Sequence, residues 1–423
     1  MKKIPINIIL SGVVFLLSYQ VVAASFYDEE DALRLRLRND FRRAERASAG
    51  SEKDIYAWVQ GAALEYNSRY YQDIIGVDVG GFYVYKLGAR DNWSTRWYLD
   101  GHDSFGRYTA ALKLKFSEKL SIKAGRMVTD SLYSGQEDLP IINASSQRTV
   151  PTLSDVVLMK YSIDRNYDIY AMYRYGVYYY SDVAEGVRRT GPIDPTNYQH
   201  NIFRPQYITS LVFHDSCHYY ATSGSWQEDV AMQLMAKTAT CLPLDSGRKD
   251  KFKAEFTAFY ANLDGITAAL DGPKDTSLLS GQLSYIHPVG SLFFGIGKTG
   301  GKLNRLAGID TDLGYPFDLS IDRNHSDMWS YQLGATLNLP GNSFIGIAET
   351  LTNGYETYQH DVQIRGAGTN LLFGWQAAQG RLQGLKVFVA LNRAREHRNG
   401  SVLGDRLDYY DSKVNIQYDF IMK

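Results

Sequence analysis

The sequence predicts an all-β fold, a transmembrane antiparallel β-barrel, on three observations. Apolar and polar residues alternate strictly in several segments, which is the period of a β-strand. Tyrosine and phenylalanine are abundant, at 32 and 18 of 423 residues, as in barrels whose strands carry aromatic belts. The N-terminus reads as an export signal, and no segment keeps the helical period.

The clearest alternating segment runs from Ala32 to Asn39. Its two faces are a leucine face with Leu33, Leu35 and Leu37 and a basic face with Arg34, Arg36 and Arg38. In a soluble sheet the leucines would be core, whereas in a barrel they would face lipid and the arginines a wet lumen. The strand alone fits either structure.

The N-terminal segment favours the barrel. Met1 to Lys3 is basic, Ile6 to Val22 is mostly apolar, and small residues end the stretch at Ala24. The apolar run is too short for a retained membrane helix, which needs roughly 20 residues. We therefore predict a signal peptide over residues 1–24 and a single barrel domain over 25–423.

Further alternating segments recur along the chain, for example Ile75–Tyr83, Ile169–Val177, Lys251–Ala258 and Lys413–Phe420. Leu112–Phe116 and Leu120–Ala124 are separated by a tight turn, which predicts a hairpin. At about 22 residues for each strand with its connection, the mature chain holds roughly 16 to 20 strands. A soluble β-sandwich is the alternative, but its strands would be shorter.

Charge and motifs exclude several functions. The net charge is −1 with no long basic block, so we expect no nucleic-acid partner. The sequence contains no serine-hydrolase, zinc-protease or nucleotide-binding motif, so we expect a protein that is not an enzyme and has no cofactor. An outer-membrane hydrolase and a receptor that does not conduct stay open as less favoured alternatives.

The two cysteines, Cys217 and Cys241, predict one disulfide in an exported protein. Ser223–Glu228 between them looks like a turn, which would put the bridge near the top of an extracellular hairpin. A metal site built from His214, Cys217 and His218 is the alternative. That spacing matches no strong zinc pattern, so we expect no metal.

Several motifs resemble the OprD family of substrate-selective outer-membrane channels. The similar stretches follow the family's order through most of the mature chain: Leu37–Phe41, Trp58–Gly61, Gly76–Asp78, Ser145–Arg148, Ser326–Leu333, Gly384–Lys386, Asn392–Ala394 and Asp408–Phe420. The resemblance implies a monomeric barrel of about 18 strands in the outer membrane of a Gram-negative bacterium. It also implies long extracellular loops folded into the pore and insertion by the barrel-assembly machinery.

The function that the resemblance implies is passive, substrate-preferring diffusion of small polar solutes along a ladder of basic residues. The expected solutes are small nutrients that carry a carboxylate. Strand parity, with Lys386 added from the family's penultimate strand, gives the candidate ladder: Arg34, Arg36, Arg38, Lys113, Lys115, Lys123, Arg174, Lys386 and Lys413. These cations could instead pair with carboxylates across strands. Arginine suits a carboxylate solute because its planar fork donates two hydrogen bonds.

A constriction is expected in the long connection Val128–Thr152, by resemblance to the family's inward-folded loop. Its charged residues are Asp130, Glu137, Asp138 and Arg148. Opposed charges across a narrow pore orient dipolar solutes. The alternative is a solvated extracellular loop.

The sequence departs from the family in its penultimate strand. Val387–Leu391 is apolar on both faces, and strict alternation places Arg393 on the lipid side. The ladder is thinner there, which weakens the case for a channel that selects carboxylates alone. Tyrosines crowded between Tyr167 and Tyr180 fit membrane belts, yet stacked aromatics also suit sugars, so a chitooligosaccharide or other sugar stays open as the alternative solute.

Overall fold

The structure is a computed structural model that describes residues 31–46, 54–89, 99, 102–129, 139–142, 149–178, 204–244, 250–265, 275–301, 314–356, 360–400 and 406–422. The predicted signal peptide, residues 1–24, lies outside these ranges. No helix among the described residues is long and apolar enough to cross a bilayer.

Eighteen strands make up the described fold. They are β1 (Ala32–Arg46), β2 (Ile55–Asn67), β3 (Ile75–Ala89), β4 (Ser104–Lys115), β5 (Leu120–Val128), β6 (Leu153–Ser162), β7 (Tyr167–Tyr178), β8 (Gln206–His214), β9 (His218–Gln227), β10 (Ala231–Pro243), β11 (Lys251–Leu263), β12 (Asp275–His287), β13 (Gly290–Thr299), β14 (Ser326–Leu339), β15 (Ser343–Tyr355), β16 (Gln363–Gln376), β17 (Leu385–Asn399) and β18 (Arg406–Met422).

The sheet closes on itself as a barrel. Each strand pairs antiparallel with its neighbours in the chain, and β1 also pairs with β18 in a register that sets Arg36 opposite Asp419. Among the described strands, closure leaves no unpaired edge. A bilayer would not tolerate such an edge, because lipid offers no hydrogen bonds to the backbone. The predicted antiparallel β-barrel is confirmed.

The alternation seen in the sequence separates the two surfaces of the wall. In β1, Arg36 faces the interior and is 4% exposed, whereas its neighbour Leu37 faces outward and is 41% exposed. Rings of aromatic residues lie on the outer surface near both strand ends. Tyr173, Tyr207 and Trp226 stack toward one end, and Tyr167, Phe213 and Tyr220 toward the other. This outward placement is that of membrane-interface belts.

The two ends of the barrel differ in the length of their connections. The chain enters β1 and leaves β18 at the end with short turns, such as 116–119, 288–289 and 340–342. The opposite end carries the long connections 129–152, 179–205 and 300–325. Outer-membrane barrels place short turns in the periplasm and long loops outside the cell, which orients this barrel.

Described parts of two long connections lie inside the barrel. Leu139, Ile141 and Ile142, from the connection after β5, are buried in one apolar cluster with inward-facing residues such as Met127 and Leu158. Residues 314–325, from the connection after β13, cross the inner wall and are called the strap below. The interior is therefore partly filled from the extracellular end.

Two predictions about strands need correction. The seven segments predicted to be strands all lie in strands, except that β4 ends at Lys115, one residue before the predicted end. Most of the strands extend several residues further, because the sequence pattern weakens near the barrel rims. Ser223–Glu228 is not a turn: its first five residues complete β9, and the turn to β10 spans 228–230. Small residues suit this part of β9, where Ser225 and Gln227 face the crowded interior.

Candidate functional site

The inner surfaces of β1 and β18, together with Lys386 of β17, form a basic wall. Its cations outnumber its carboxylates, and nearly all are buried inside the barrel. The cations are Arg34, Arg36, Arg38, Arg42, Lys386 and Lys413, and the carboxylates are Asp40, Asp411 and Asp419. The structure thus brings together five of the predicted ladder residues on three adjacent strands.

In the periplasmic half of the basic wall, one carboxylate bridges two cations. Asp419 accepts a hydrogen bond from Arg36 Nε at 2.7 Å and forms an ion pair with Lys386 Nζ at 3.1 Å. Gln417 also donates to Asp419 at 2.7 Å. These partners fix the Arg36 guanidinium against the wall and leave the group with a net positive charge.

The neighbouring arginines are held in the same way along β1. Arg38 lies 3.7 Å from Asp40, and its Nε and Nη2 donate to the Asn415 amide oxygen at 2.6 and 2.9 Å. Arg34 lies at the limit of an ion pair with Glu65, at 4.0 Å, and Arg42 contacts Asp411. The ladder is therefore a row of paired cations, as the alternative reading allowed.

Two other ladder residues form a separate group on β3 to β5. Lys113 and Lys123 both pair with Asp78, the former at 3.0 Å, and Lys113 also donates to the backbone of Ser68. Lys115 lies at the periplasmic mouth, where it pairs with Asp73 and Glu118 at 2.9 and 3.0 Å. A surplus positive charge remains around Asp78.

Arg174 lies apart from these groups, on the inner surface of β7. Its guanidinium donates to Ser154 Oγ at 3.1 Å and to Gln206 Oε1 at 3.0 Å. From Gln206 a chain of amides and hydroxyls continues around the wall, because Gln206 donates to Ser225 Oγ at 3.1 Å and Ser225 donates to Gln233 at 2.7 Å.

This neutral polar surface is called the amide wall. Its inward-facing members are buried on β8 to β17: Gln206, Ser225, Gln233, Gln282, Gln332, Thr350, Asn370 and Asn392. Amide and hydroxyl groups donate and accept hydrogen bonds without carrying charge. The interior therefore has a face rich in cations and a face of mainly neutral polar groups. The charged residues of the second face are paired, Lys253 with Glu255 at 2.8 Å and Arg398 with Glu396 at 2.9 Å.

The strap crosses the amide wall. Ser280 Oγ accepts from the Tyr315 amide at 3.1 Å, and Gln332 donates to the Phe317 carbonyl. Asp318 accepts from the side chains of Asn370 at 2.7 Å and Asn392 at 3.1 Å, and from the backbone amides of Ser320 and Ile321 at 2.9 Å each. Burial raises the pKa of the Asp318 carboxyl.

Glycines on the strands make room for the strap. A side chain at Gly368 would place its Cβ 2.7 Å from Asp318 Oδ2, and one at Gly297 would overlap the Tyr315 carbonyl. Ile321 packs beside Gly366 and Gly368. The close fit shows that the strap's inward position is built into the wall.

The predicted constriction residues Asp130, Glu137, Asp138 and Arg148 lie outside the described residues. Their connection is described at 139–142, where it packs inward, and at 149–152, where Thr149 meets β2 at Gly61. A constriction by these charges stays a prediction.

The cysteine prediction is wrong in two respects. Cys217 and Cys241 are free thiols in the structure, and each donates to the backbone carbonyl of the other residue, with Sγ–O distances of 3.0 and 3.2 Å. The two thiol side chains also contact each other, but no bond joins their sulfur atoms. The pair also lies at the periplasmic end of the barrel, beside the short turn after β8, because Ser223–Gln227 is strand.

No group of metal-ligating side chains is found among the described residues. The carboxylate of Asp215 in the turn before Cys217 accepts the backbone amides of Cys217 and His218, and these bonds lower its pKa. The polar groups beside the cysteines are therefore occupied in shaping the turn.

Sequence reasoning missed the partners of the ladder. Strict alternation along β18 in both directions from Lys413 places Asp411 and Asp419 on the same face as Lys413. The alternation alone could therefore have identified these two carboxylates as inward-facing. Asp318 had no such signal, because it lies in an irregular connection whose inward course depends on the surrounding wall.

Residues 25–165 match the family model described as outer membrane porin, OprD family. The chain is 42% identical over 402 residues to the membrane-associated protein UidC of Escherichia coli (strain K12), covering 95% of each chain.

Solved structures share the fold at low sequence identity. OccAB3 of Acinetobacter baumannii superposes with a TM-score of 0.80 at 17% identity, covering 93% of this chain and 99% of the other. OpdK of Pseudomonas aeruginosa, solved with vanillate, gives 0.76 at 17% identity, covering 94% and 100%. OccK2 (OpdF) of the same species, in complex with glucuronate, gives 0.73 at 18% identity, covering 94% and 100%.

Proposed function

Since the chain belongs to the OprD family of outer-membrane porins of Gram-negative bacteria, we propose that it admits small solutes that carry both a carboxylate and hydroxyl groups. The family and the fold are those of a channel rather than an enzyme. We propose further that the barrel has no catalytic activity and that its specificity lies in the inner wall.

The observation that carries the proposal is the surplus of cations on the basic wall. Arg36 and Lys386 share Asp419, so the group keeps a positive charge, and the wall as a whole has more cations than carboxylates. A carboxylate passing the wall exchanges part of its hydration for charge-assisted hydrogen bonds. Because Arg36, Arg38 and Lys386 are already oriented by partners, little conformational entropy is lost when the solute binds.

The amide wall supplies the second half of the recognition. Gln206, Ser225 and Gln233 lie on the inner side of the wall, where hydrogen bonds connect their amide and hydroxyl groups. Such groups replace the water around hydroxyl groups of a solute. Vanillate and glucuronate, the molecules named with two structurally similar channels, each combine a carboxylate with at least one hydroxyl group, and this supports the same class here.

The test uses glucuronate and glucose, which differ in a single carboxylate. Purified protein is inserted in a planar bilayer, and each sugar is added while single-channel current is recorded. We expect glucuronate to interrupt the current transiently at concentrations where glucose does not. Benzoate, which has the carboxylate without hydroxyl groups, is expected to interrupt it more briefly than glucuronate.

Two results would contradict the proposal. Equal interruption by glucose and glucuronate would indicate a channel for neutral sugars. The basic wall would then stabilise the barrel without binding the solute. Folded protein that conducts no ions would indicate that the barrel displays its loops without transporting. A chitooligosaccharide is the further solute to try in the first case.

A further inference from the structure

An arginine cluster on the outer, lipid-facing surface has no role in the solute pathway. It covers β16, β17 and β18 at the extracellular end and is called the outer arginine patch. The register sets its residues in three rows across the strands: Arg365, His397 and Arg406; Ala367, Arg395 and Asp408; Thr369, Arg393 and Tyr410. Residues directly opposite in such rows have Cβ atoms about 4.5–5.5 Å apart.

These side chains point away from the lumen. Arg393 lies between the inward-facing Asn392 and Ala394, which are 5% and 3% exposed, and Arg365 follows the fully buried Ile364. Strand alternation therefore turns both arginines to the outside, as predicted for Arg393. They cannot contact a solute inside the barrel.

The patch has an excess of positive charge. Asp408 is shared by Arg395 at 3.0 Å and Arg406 at 2.8 Å. Arg393 lies over the Tyr410 ring, 5.7 Å from its centroid. In the part of the chain that the structure describes, neither Arg365 nor Arg393 forms an ion pair with a carboxylate.

Other outward-facing cations near this end of the barrel are neutralised. Arg43 pairs with Glu45, Lys298 with Asp327, and Arg126 with Asp155. The cost of an uncompensated arginine next to hydrocarbon is large at the middle of the membrane and small near its surface. At the extracellular end of the wall, two arginines without a carboxylate partner among the described residues therefore leave a positive site that an anion from outside the chain can occupy.

Directly below the patch, the wall is apolar. Leu371, Leu391 and Phe373 are 48%, 47% and 37% exposed, and Val389 and Val414 continue the same surface toward the periplasm. A ligand that fits both parts has an anionic head at the level of the arginines and hydrocarbon chains below. That is the chemistry of a phosphorylated lipid, whose phosphate arginine binds with two parallel hydrogen bonds.

We propose that the outer arginine patch is a binding site for a phosphorylated lipid of the outer leaflet, with Arg365 and Arg393 as its phosphate-binding residues. Long loops mark this end of the barrel as extracellular, so the head group belongs to the leaflet that faces outward. The inference does not depend on which solute the channel carries.

The test measures lipid binding to the full-length protein by native mass spectrometry in detergent. The probes are bisphosphorylated lipid A, the same lipid without phosphates, and inorganic phosphate. We expect wild-type protein to bind the bisphosphorylated form at least about tenfold more tightly than the dephosphorylated form. Arg365→Gln/Arg393→Gln should lose this preference.

Lys298→Gln is the matched control, since it also removes an outward-facing cation that lies at the extracellular end, but from an ion pair away from the patch. It should keep the preference. Unchanged channel conductance shows that the double variant is folded. If the double variant fails to fold, Arg365→Gln alone is tested, with a smaller loss expected.

Three results would overturn the proposal. Equal binding of both lipid forms by wild-type protein would show that only the apolar wall contributes. Competition by inorganic phosphate as strong as that by the bisphosphorylated lipid would indicate a site for free anions. A dimer in sedimentation that Arg365→Gln/Arg393→Gln disperses, without any lipid preference, would assign the patch to a second copy of the chain.

Discussion

Replacing Asp419 with asparagine is expected to increase the anion preference of the channel. The substitution preserves the shape of the side chain but removes the negative charge between Arg36 and Lys386, which lie 2.7 and 3.1 Å from it. Both cations would then act on the lumen without compensation. The reversal potential in a potassium chloride gradient should move toward the value for chloride.

The same substitution should destabilise the barrel. Removing one partner of a buried ion pair costs about 3–5 kcal/mol, because the remaining charge stays buried and uncompensated. Reversible unfolding in urea with lipid vesicles measures this loss as a change in the free energy of unfolding. Asp327→Asn is the matched control: it removes the same charge from a pair on the outer surface and should leave the reversal potential unchanged.

The variant Arg36→Gln is expected to have the opposite effect to Asp419→Asn. It should lower the anion preference, and Arg36→Gln/Asp419→Asn should lie close to the wild-type value, because the two changes cancel in charge. If Asp419→Asn left the reversal potential at the wild-type value, the basic wall would serve only to hold the barrel together. The double-mutant comparison also isolates the coupling between the two side chains.

The pair formed by Arg36 and Asp419 shows which features of the basic wall can be predicted from the sequence. Alternation in Ala32–Asn39 and in Lys413–Phe420 predicted both strands and the inward side of each, because a closed barrel wall separates two environments along every strand. Which residues pair across the wall depends on the register of β1 with β18, two strands almost a whole chain apart. Local pattern carries no information on that register.

The strap shows where the sequence pattern ends. Its residues have no period, and their positions depend on glycines and amides from several strands, among them Gly368, Asn370 and Asn392. The prediction of where the cysteines lie was wrong for a related reason. It depended on the position of the first turn after Cys217, which decides the end of the barrel that the cysteines occupy, and this turn lies at 228–230. Small polar residues read as a turn in Ser223–Glu228, although the crowded interior explains them equally well.

Replacing Asp318 with alanine is expected to release the strap and raise the single-channel conductance. The carboxylate accepts hydrogen bonds from Asn370 and Asn392 on the wall and from the amides of Ser320 and Ile321 within the strap. A hydrogen bond to a charged group contributes about 1.5–3 kcal/mol. Loss of one such bond raises the population of the detached strap roughly ten- to a hundredfold.

Single-channel recording would show a larger mean current with frequent steps between two levels, as the strap leaves and returns. Gly368→Val should act in the same direction, because its side chain would occupy the space beside Asp318 Oδ2. Asp164→Ala is the matched control, since Asp164 also accepts two backbone amides, those of Asn166 and Tyr167, but in a periplasmic turn. Wild-type conductance in both strap variants would mean that the strap does not limit the ion pathway, and the narrowest point would then lie elsewhere along the basic wall.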